Sequence, residues 1–375
     1  MKVINNRLAL VLLVVGILTS RPLMGAPLNN AAGATESAET QADTLLADGD
    51  MSTPQQAAAL EQKLAGRPKD LDSRIKLLGY YFAHYNKLRP VDAFHAKWRT
   101  ELFWIIENRP DAAVFWCAQT WPLNDRPTYD EGAGLWLAQI GRNPANAAIL
   151  ANAAGFFQLY DPPRSEGLLD QAEALDPSNP VWPYRMSQLF TTRMDRLAGQ
   201  ARVEAAKQAF IALKQVRRLA AASNVGGQFT GLFNDLPRLA YEAGQYGEAR
   251  NIARHMVNDA SKHLTINGLD FGDGLKGDEY YDGNMVLGLV ALQAGDLAHA
   301  RSYLLASGKT TGSPPLDSFG PNMMLAKALL EKGDKQTVLQ FFKECASFWR
   351  YSPLDKWSAQ VEAGTVPDFG PNLDY

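Results

Sequence analysis

The residues able to do chemistry are few and widely spaced. Five histidines, His84, His95, His255, His263 and His299, fall in no His-Glu-x-x-His arrangement. That spacing sets two imidazoles on one helix face around zinc, so each reads as a surface residue and no metal site is expected. Gly308-Lys309-Thr310 has the ending of a phosphate-binding loop, but Tyr303 stands where such a loop needs its first glycine. No strand precedes it to build the backbone cradle, and no nucleotide or other cofactor is expected. There is no Gly-x-Ser-x-Gly elbow to present a nucleophile. Cys117 and Cys345 fall on separate predicted helices and read as small buried apolar residues. The acidic, glycine-rich stretch holding Asp270, Asp273, Asp278, Glu279 and Asp282 offers oxygen ligands for calcium. Its spacing is not that of a calcium-binding helix-loop-helix. Asp278, Glu279 and Asp282 also precede a predicted helix around Met285–Leu292, whose N-terminal dipole favours acids. These carboxylates carry the least favoured reading, a hydrolase hosted on a helical scaffold. The expectation is a protein that is not an enzyme.

Composition narrows the remaining classes. The chain has 375 residues, 37 basic and 40 acidic, for a net charge of −3. That balance lacks the basic excess that phosphate binding requires, so a nucleic-acid partner is not expected. Lys2 and Arg7 precede an uninterrupted apolar run from Leu8 to Leu18, and small or turn-forming residues follow through Ala26. This order matches a secretory signal over residues 1–26, with an uncleaved anchor as the alternative. The run is about half of the roughly 20 residues that span a bilayer, so no membrane span is expected once the signal is removed. Cleavage after Ala26 removes three basic residues and no acid, taking the net charge to −6. Ala32-Gly33-Ala34 is a second cleavage candidate. Export to the periplasm or beyond the cell follows. Residues 27–52 are small and polar and read as a flexible linker.

From Pro54 onward, apolar residues recur at helical spacing and almost nothing alternates with period two. The fold class is all-α. Turns recur as well. Arg67-Pro68, Arg109-Pro110, Asn143-Pro144 and Asp176-Pro177 punctuate the first half, where proline cannot continue a helix and suits the first turn of the next. Gly244, Gly295 and Gly333 each follow a helical run, precede a polar residue and lie five positions before Ala249, Ala300 and Val338. Glycine closes a helix in the left-handed conformation, and the small or branched residue lets the second helix lie close on the first.

These segments resemble tetratricopeptide repeats, 34-residue helix-turn-helix units. The clearest unit is 146–179, with Ile149, Ala153, Phe156, Leu169, Ala172 and Pro177 at the repeat's bulky, small, aromatic, aromatic, small and proline positions. Asn152 departs from an apolar position, and Ser165 replaces an alanine. A unit from Ala113, with Trp116 at its bulky position, keeps the small positions poorly. Pro237 stands at a small position and predicts a helix that kinks or starts late. The resemblance implies a right-handed superhelical α-α solenoid over residues 53–350, closed by a C-terminal cap and tail over 351–375. Each pair has too few residues to bury its own apolar face, so stability comes from stacking.

The resemblance also implies a concave groove lined by the first helix of each pair. In this sequence that selects Trp121, Asn124, Asp125, Phe157, Gln158, Tyr184, Gln188, Arg238, Tyr241, Glu242, Lys327 and Glu331. The Lys and Asn clamp by which family members hold a terminal carboxylate is absent. A mixed aromatic and polar groove suits an extended peptide or a partner helix. The leading expectation is an exported, non-enzymatic scaffold binding a protein or peptide partner. The alternative is a carbohydrate or cell-wall binding module, since eight tryptophans could stack on sugars, although core packing accounts for them first. One motif stands apart: Phe319-Gly320-Pro321-Asn322-Met323 and Phe369-Gly370-Pro371-Asn372-Leu373 are near copies. They read either as two similar turns or as a tail that docks in the manner of a repeat start.

Overall fold

A computed structural model describes residues 38–84, 91–123, 125–223, 226–260, 265–266, 269–270, 276–350 and 352–373. The proposed signal and Asn124 lie outside these residues. The described chain is all-α. It forms two compact units, Met1–Leu189 and Phe190–Tyr375, with the break inside one helix. The exception to helix is a two-residue antiparallel ladder, Thr265–Ile266 with Leu269–Asp270. No helix among the described residues is long and apolar enough to cross a membrane.

The first unit holds α1 (Ala38–Asp50), α2 (Pro54–Gly66), α3 (Leu71–His84), α4 (Val91–Asn108), α5 (Arg126–Arg142), α6 (Ala147–Phe157), α7 (Pro162–Leu175) and the start of α8 (Val181–Met194). Helix α1 falls in the segment expected to be flexible. Its composition is poor in apolar residues, but Ala42 and Leu46 are buried. Backbone approach supplies the rest. A Cβ at Gly49 would sit 2.0 Å from the Lys76 carbonyl oxygen, and one at Gly79 would sit 2.3 Å from that of Leu46. Two glycines thus let α1 lie directly on α3, and Lys76 Nζ meets Asp48 at 2.7 Å.

Helices α6 and α7 form the hairpin expected over 146–179. Asn146 and Asp161 cap them by accepting from the Ile149 and Arg164 amides. Ala153 and Ala172 are both fully buried. The two departures from the repeat have physical roles. Ser165 Oγ donates to Ala154 O at 2.8 Å, tying the pair together. Asn152 Nδ2 donates to Pro110 O and Ala112 O at 2.8 and 2.9 Å, tying α6 to the preceding segment.

That preceding segment corrects the expectation of a helix starting at Ala113. Residues 109–123 are a run of turns with a 3-10 turn at Ala118–Thr120. Pro110 and Pro122 bracket it. Side chains occupy carbonyls that a helix would use: Thr120 Oγ1 donates to Cys117 O, and Trp98 Nε1 to Gln119 O. Val114 and Phe115 are buried, which made the run look helical. Cys117 is therefore in a turn, half-buried, with its thiol 3.0 Å from Asp43 Oδ1.

The second unit holds α9 (Gly199–Ala222), α10 (Leu236–Glu242), α11 (Tyr246–Ala260), α12 (Lys276–Gln293), α13 (Leu297–Gly308), α14 (Pro314–Phe319), α15 (Met324–Glu331), α16 (Lys335–Cys345) and α17 (Leu354–Glu362). A 3-10 stretch over Gly226–Asp235 precedes α10, which starts late with Pro237 in its first turn. Three hairpins follow in chain order: α10 with α11, α12 with α13, and α15 with α16. Each turn contains the expected glycine at positive φ, Gly244 at 74°, Gly295 at 79° and Gly333 at 85°. The aspartates after Gly295 and Gly333 cap the next helices. First helices stack on first helices, α10 on α12 and α12 on α15, and α13 stacks on α16. Ala249, Ala300, Ala326 and Val338 are fully buried at these crossings. At Gly288 a Cβ would lie 2.2 Å from Leu325, so α12 and α15 meet where a side chain is missing.

Gly308-Lys309-Thr310 ends α13. A Cβ at Gly308 would press on Glu344 and Phe341 of α16, and Thr310 Oγ1 donates to Gly277 O at 2.9 Å. The motif serves helix packing. Cys345 is buried, and desolvation pushes its thiol well above the ordinary range.

Candidate binding surface

The described groove candidates differ in burial within each unit. Trp121, Phe157, Gln158, Tyr184 and Arg238 are buried. Trp121 Nε1 donates to Phe115 O, and Gln158 Nε2 to Gly155 O. Phe157 packs edge-on against Phe156 and Tyr129 under the Arg164 guanidinium. Tyr184 accepts through its hydroxyl from Gln188 Nε2 at 2.9 Å, and Gln188 Oε1 accepts from Arg185. The Arg185 guanidinium lies 5.0 Å from the rings of both Trp116 and Tyr184, so α8 is held against the 109–123 segment by a cation between two aromatic rings.

In the second unit, Arg238 and Glu242 pair with each other. Arg238 Nη1 meets Glu242 at 2.9 Å and Nη2 meets Asp235 at 3.4 Å. Arg202 of α9 donates to the second Glu242 oxygen at 2.8 Å. Burial lowers the Arg238 pKa, but the Asp235 and Glu242 carboxylates outweigh it and keep the guanidinium charged. Two cations and two anions close this network, which ties α9 to α10. Tyr241 is half-buried, and burial pushes its hydroxyl up. Lys327 is half-buried on α15, and Glu331 alone of the eleven described candidates is exposed.

Asp125 belongs to a different arrangement. It caps α5 by accepting from the Thr128 amide at 3.2 Å, and its other oxygen lies 2.7 Å from His95 Nε2 on α4. Burial raises the Asp125 carboxyl, but bonds from Thr128 and the His95 charge hold it below the usual range. His95 stacks on Trp98, with ring centres 5.5 Å apart. One turn along α4, Arg99 pairs with Glu131 of α5 and lies over the Phe103 ring. His95, Arg99, Phe103 and Glu131, with Ala96 and Thr100, line an open cleft of about 390 Å³. Gly132 lets α5 lie close on both α4 and α6, since a Cβ there would meet Phe156 at 2.6 Å and Phe103 at 3.3 Å. The hydroxyl in the lining, Thr100 Oγ1, is turned back to Ala96 O at 2.9 Å. The chemistry on offer is recognition by charge, imidazole and an aromatic edge. Sequence reasoning placed Asp125 in a groove but read His95 as surface. The signal available was Asp125 followed by Arg126-Pro127-Thr128, a capping sequence that fixes a carboxylate at the mouth of α5.

Of the acidic stretch, Asp273 lies outside the described residues. Asp278 Oδ1 accepts from Ser313 Oγ, and burial raises the Glu279 carboxyl. Among the described residues no group of three or more His, Cys, Asp or Glu could hold a metal ion. Trp98, Trp121, Trp136, Trp182, Trp349 and Trp357 are buried, and Trp104 and Trp116 half-buried. The half-buried rings of Trp104 and Trp116 each lie under a guanidinium, Arg74 at 3.9 Å and Arg185 at 5.0 Å. Comparison of the chain with protein-family models and with curated proteins finds no match.

Proposed function

We propose that this protein is an exported, non-enzymatic scaffold of tetratricopeptide type, a right-handed superhelical stack of helix pairs that binds a protein or peptide partner. Export rests on the charged, apolar and small-residue order of residues 1–26. The repeat type rests on the glycine-closed hairpins that stack in chain order in the second unit.

The observation that carries the binding reading is the α4–α5 cleft. His95, Arg99 and Phe103 stand four residues apart along one helix face. Four residues of α-helix rise about 6 Å. Alternate residues of an extended peptide rise roughly 6.5 Å. The row therefore matches every second side chain of an extended segment, and Glu131 and Asp125 face it from α5. The cleft is open rather than enclosed, which suits a chain passing through more than a small molecule.

The test is selection from a random peptide library on the mature chain, followed by the double variant R99E/E131R. That variant keeps an ion pair but exchanges the charges across the cleft. Peptides selected on the wild-type chain should lose at least about tenfold in affinity, roughly the 1.4 kcal/mol of one charged contact, while the melting temperature holds. Selected peptides that bind the double variant equally well would remove the cleft from the binding surface.

A further inference from the structure

The two Phe-Gly-Pro-Asn motifs meet. Asn372 Nδ2 donates to Phe319 O and to Pro321 O, both at 3.1 Å. Asn372 O accepts from the Met323 amide at 2.6 Å. One asparagine thus reads two carbonyls and one N–H of the other motif, which is recognition of backbone by a single carboxamide and its own peptide group. The aromatic of the tail is buried as well. Phe369 is 1% exposed and lies edge-on to Trp357 of α17 at 4.8 Å and to Phe342 of α16 at 6.3 Å.

The acceptor is built to hold this shape. Gly320 has φ 83°, and a Cβ there would sit 2.3 Å from the Trp349 ring. Asn322 Oδ1 accepts from the Met324 amide, and Asn322 O accepts from the buried Tyr281 hydroxyl at 2.6 Å. The turn is therefore fixed from behind by its own helices, leaving its Phe319 and Pro321 carbonyls and Met323 amide turned to the tail. The chain between α17 and the tail is different in kind. Residues 363–366 are exposed, and Gly364 has φ 87°. A fixed acceptor, a short ligand with one aromatic anchor and one reading side chain, and an exposed connection between them describe a peptide site with a tethered occupant.

We infer that the surface made by the 319–323 turn, Phe342 and Trp357 is a peptide-recognition site for a Phe-Gly-Pro-Asn segment, filled here by the chain's own tail and open to the identical tail of a second copy. The second copy is the occupant assigned because it carries the one sequence seen to fit. Tethering sets the balance: a short flexible connection gives an effective concentration on the order of mM, so the tail prefers its own chain until protein concentration approaches that value. This inference is independent of the α4–α5 cleft.

The test uses a chain ending at Gly364 and a synthetic peptide spanning residues 366–375. The shortened chain should bind the peptide. The full chain should bind it at least about tenfold more weakly, because its own tail competes. A peptide carrying Asn372→Asp sets a carboxylate against two carbonyl oxygens and should lose binding at least about tenfold. If the shortened chain does not fold, the full chain carrying N372D takes its place, since its tail is released without loss of residues. A folded acceptor that ignores the wild-type peptide, or binds the N372D peptide equally, would overturn the site. In sedimentation at concentrations approaching mM, the full chain should show dimers that N372D abolishes. Monomers throughout would overturn the exchange between copies.

Discussion

Gly155→Ala sets two effects of opposite sign against each other. Gly155 lies inside α6, where alanine is favoured over glycine by about 1 kcal/mol through helix propensity alone. Against this stands the neighbour. A Cβ at Gly155 would lie 2.4 Å from the Phe115 carbonyl oxygen, 3.0 Å from its carbon and 3.1 Å from Trp116 Nε1. The nearest atom is backbone, so no flexible side-chain end can give way. Phe115 is itself fully buried, edge-on to Trp136 at 4.7 Å. Overpacking of this kind costs about 1–3 kcal/mol, and a backbone contact belongs at the upper end. The net is a loss of about 2 kcal/mol after the propensity gain, or roughly 4–8 °C in melting temperature for a unit of this size. Gly167→Ala is the control. It lies inside α7 with nothing within 4 Å of its Cβ position, so it should gain a few tenths to 1 kcal/mol. Thermal melts of the two variants decide the matter. Stabilisation by both would mean that the 109–123 segment does not lie against α6.

Other perturbations probe separate contacts. Ala153→Leu should overpack the α6–α7 hairpin, where Ala153 and Ala172 are fully buried, and lower stability by about 1–3 kcal/mol in urea melts. Glu101→Ala should cost about 3–5 kcal/mol, because it strands the Arg74 guanidinium, which is 9% exposed and meets Glu101 at 2.6 Å. Asp334 caps α16 at the Thr337 amide and pairs with Arg301 of α13. Burial raises its carboxyl, but the bonds from Arg301 and Thr337 outweigh it, so the group stays below its ordinary 3.8. A depressed carboxylate stabilises above its unfolded value and loses that contribution as pH falls through the folded one. Asp334→Ala should therefore lose about 1 kcal/mol at neutral pH and flatten the wild-type fall in melting temperature below pH ~4.

Much of the architecture was legible because the turns carry their own chemistry. Gly295-Asp296 and Gly333-Asp334 both end a helix and cap the next, and each does so in the structure. Proline at position 237 announced a late helix start, and α10 begins at Leu236. Other features depended on contacts that local sequence does not encode. Helix α1 has little apolar surface, and its packing comes from glycine approaches to α3 across a gap in sequence. The 109–123 segment has helical composition, yet Trp98 of α4 and Asn152 of α6 bind its carbonyls. Groove residues assigned by repeat register inherited that register's drift. Arg238 and Glu242 follow a 3-10 stretch that no repeat contains, and they face Asp235 and Arg202. His95 and Asp125 meet across two helices, so only the fold could pair them. The near-copy of Phe-Gly-Pro-Asn was visible, and the structure shows the second copy seated on the first.

Zero-length carbodiimide coupling, which joins an amine to a carboxylate only when they touch, reads the order of helix packing directly. Lys76 and Asp48 lie 2.7 Å apart, Lys97 and Glu61 2.6 Å, and Lys214 and Glu248 2.6 Å. These pairs join α1 to α3, α2 to α4 and α9 to α11. Mass spectrometry of the coupled, digested monomer should recover all three links. A folded monomer that gives none of them, while linking these lysines to carboxylates on other helices of the same unit, would contradict the packing of helices on their near neighbours in sequence.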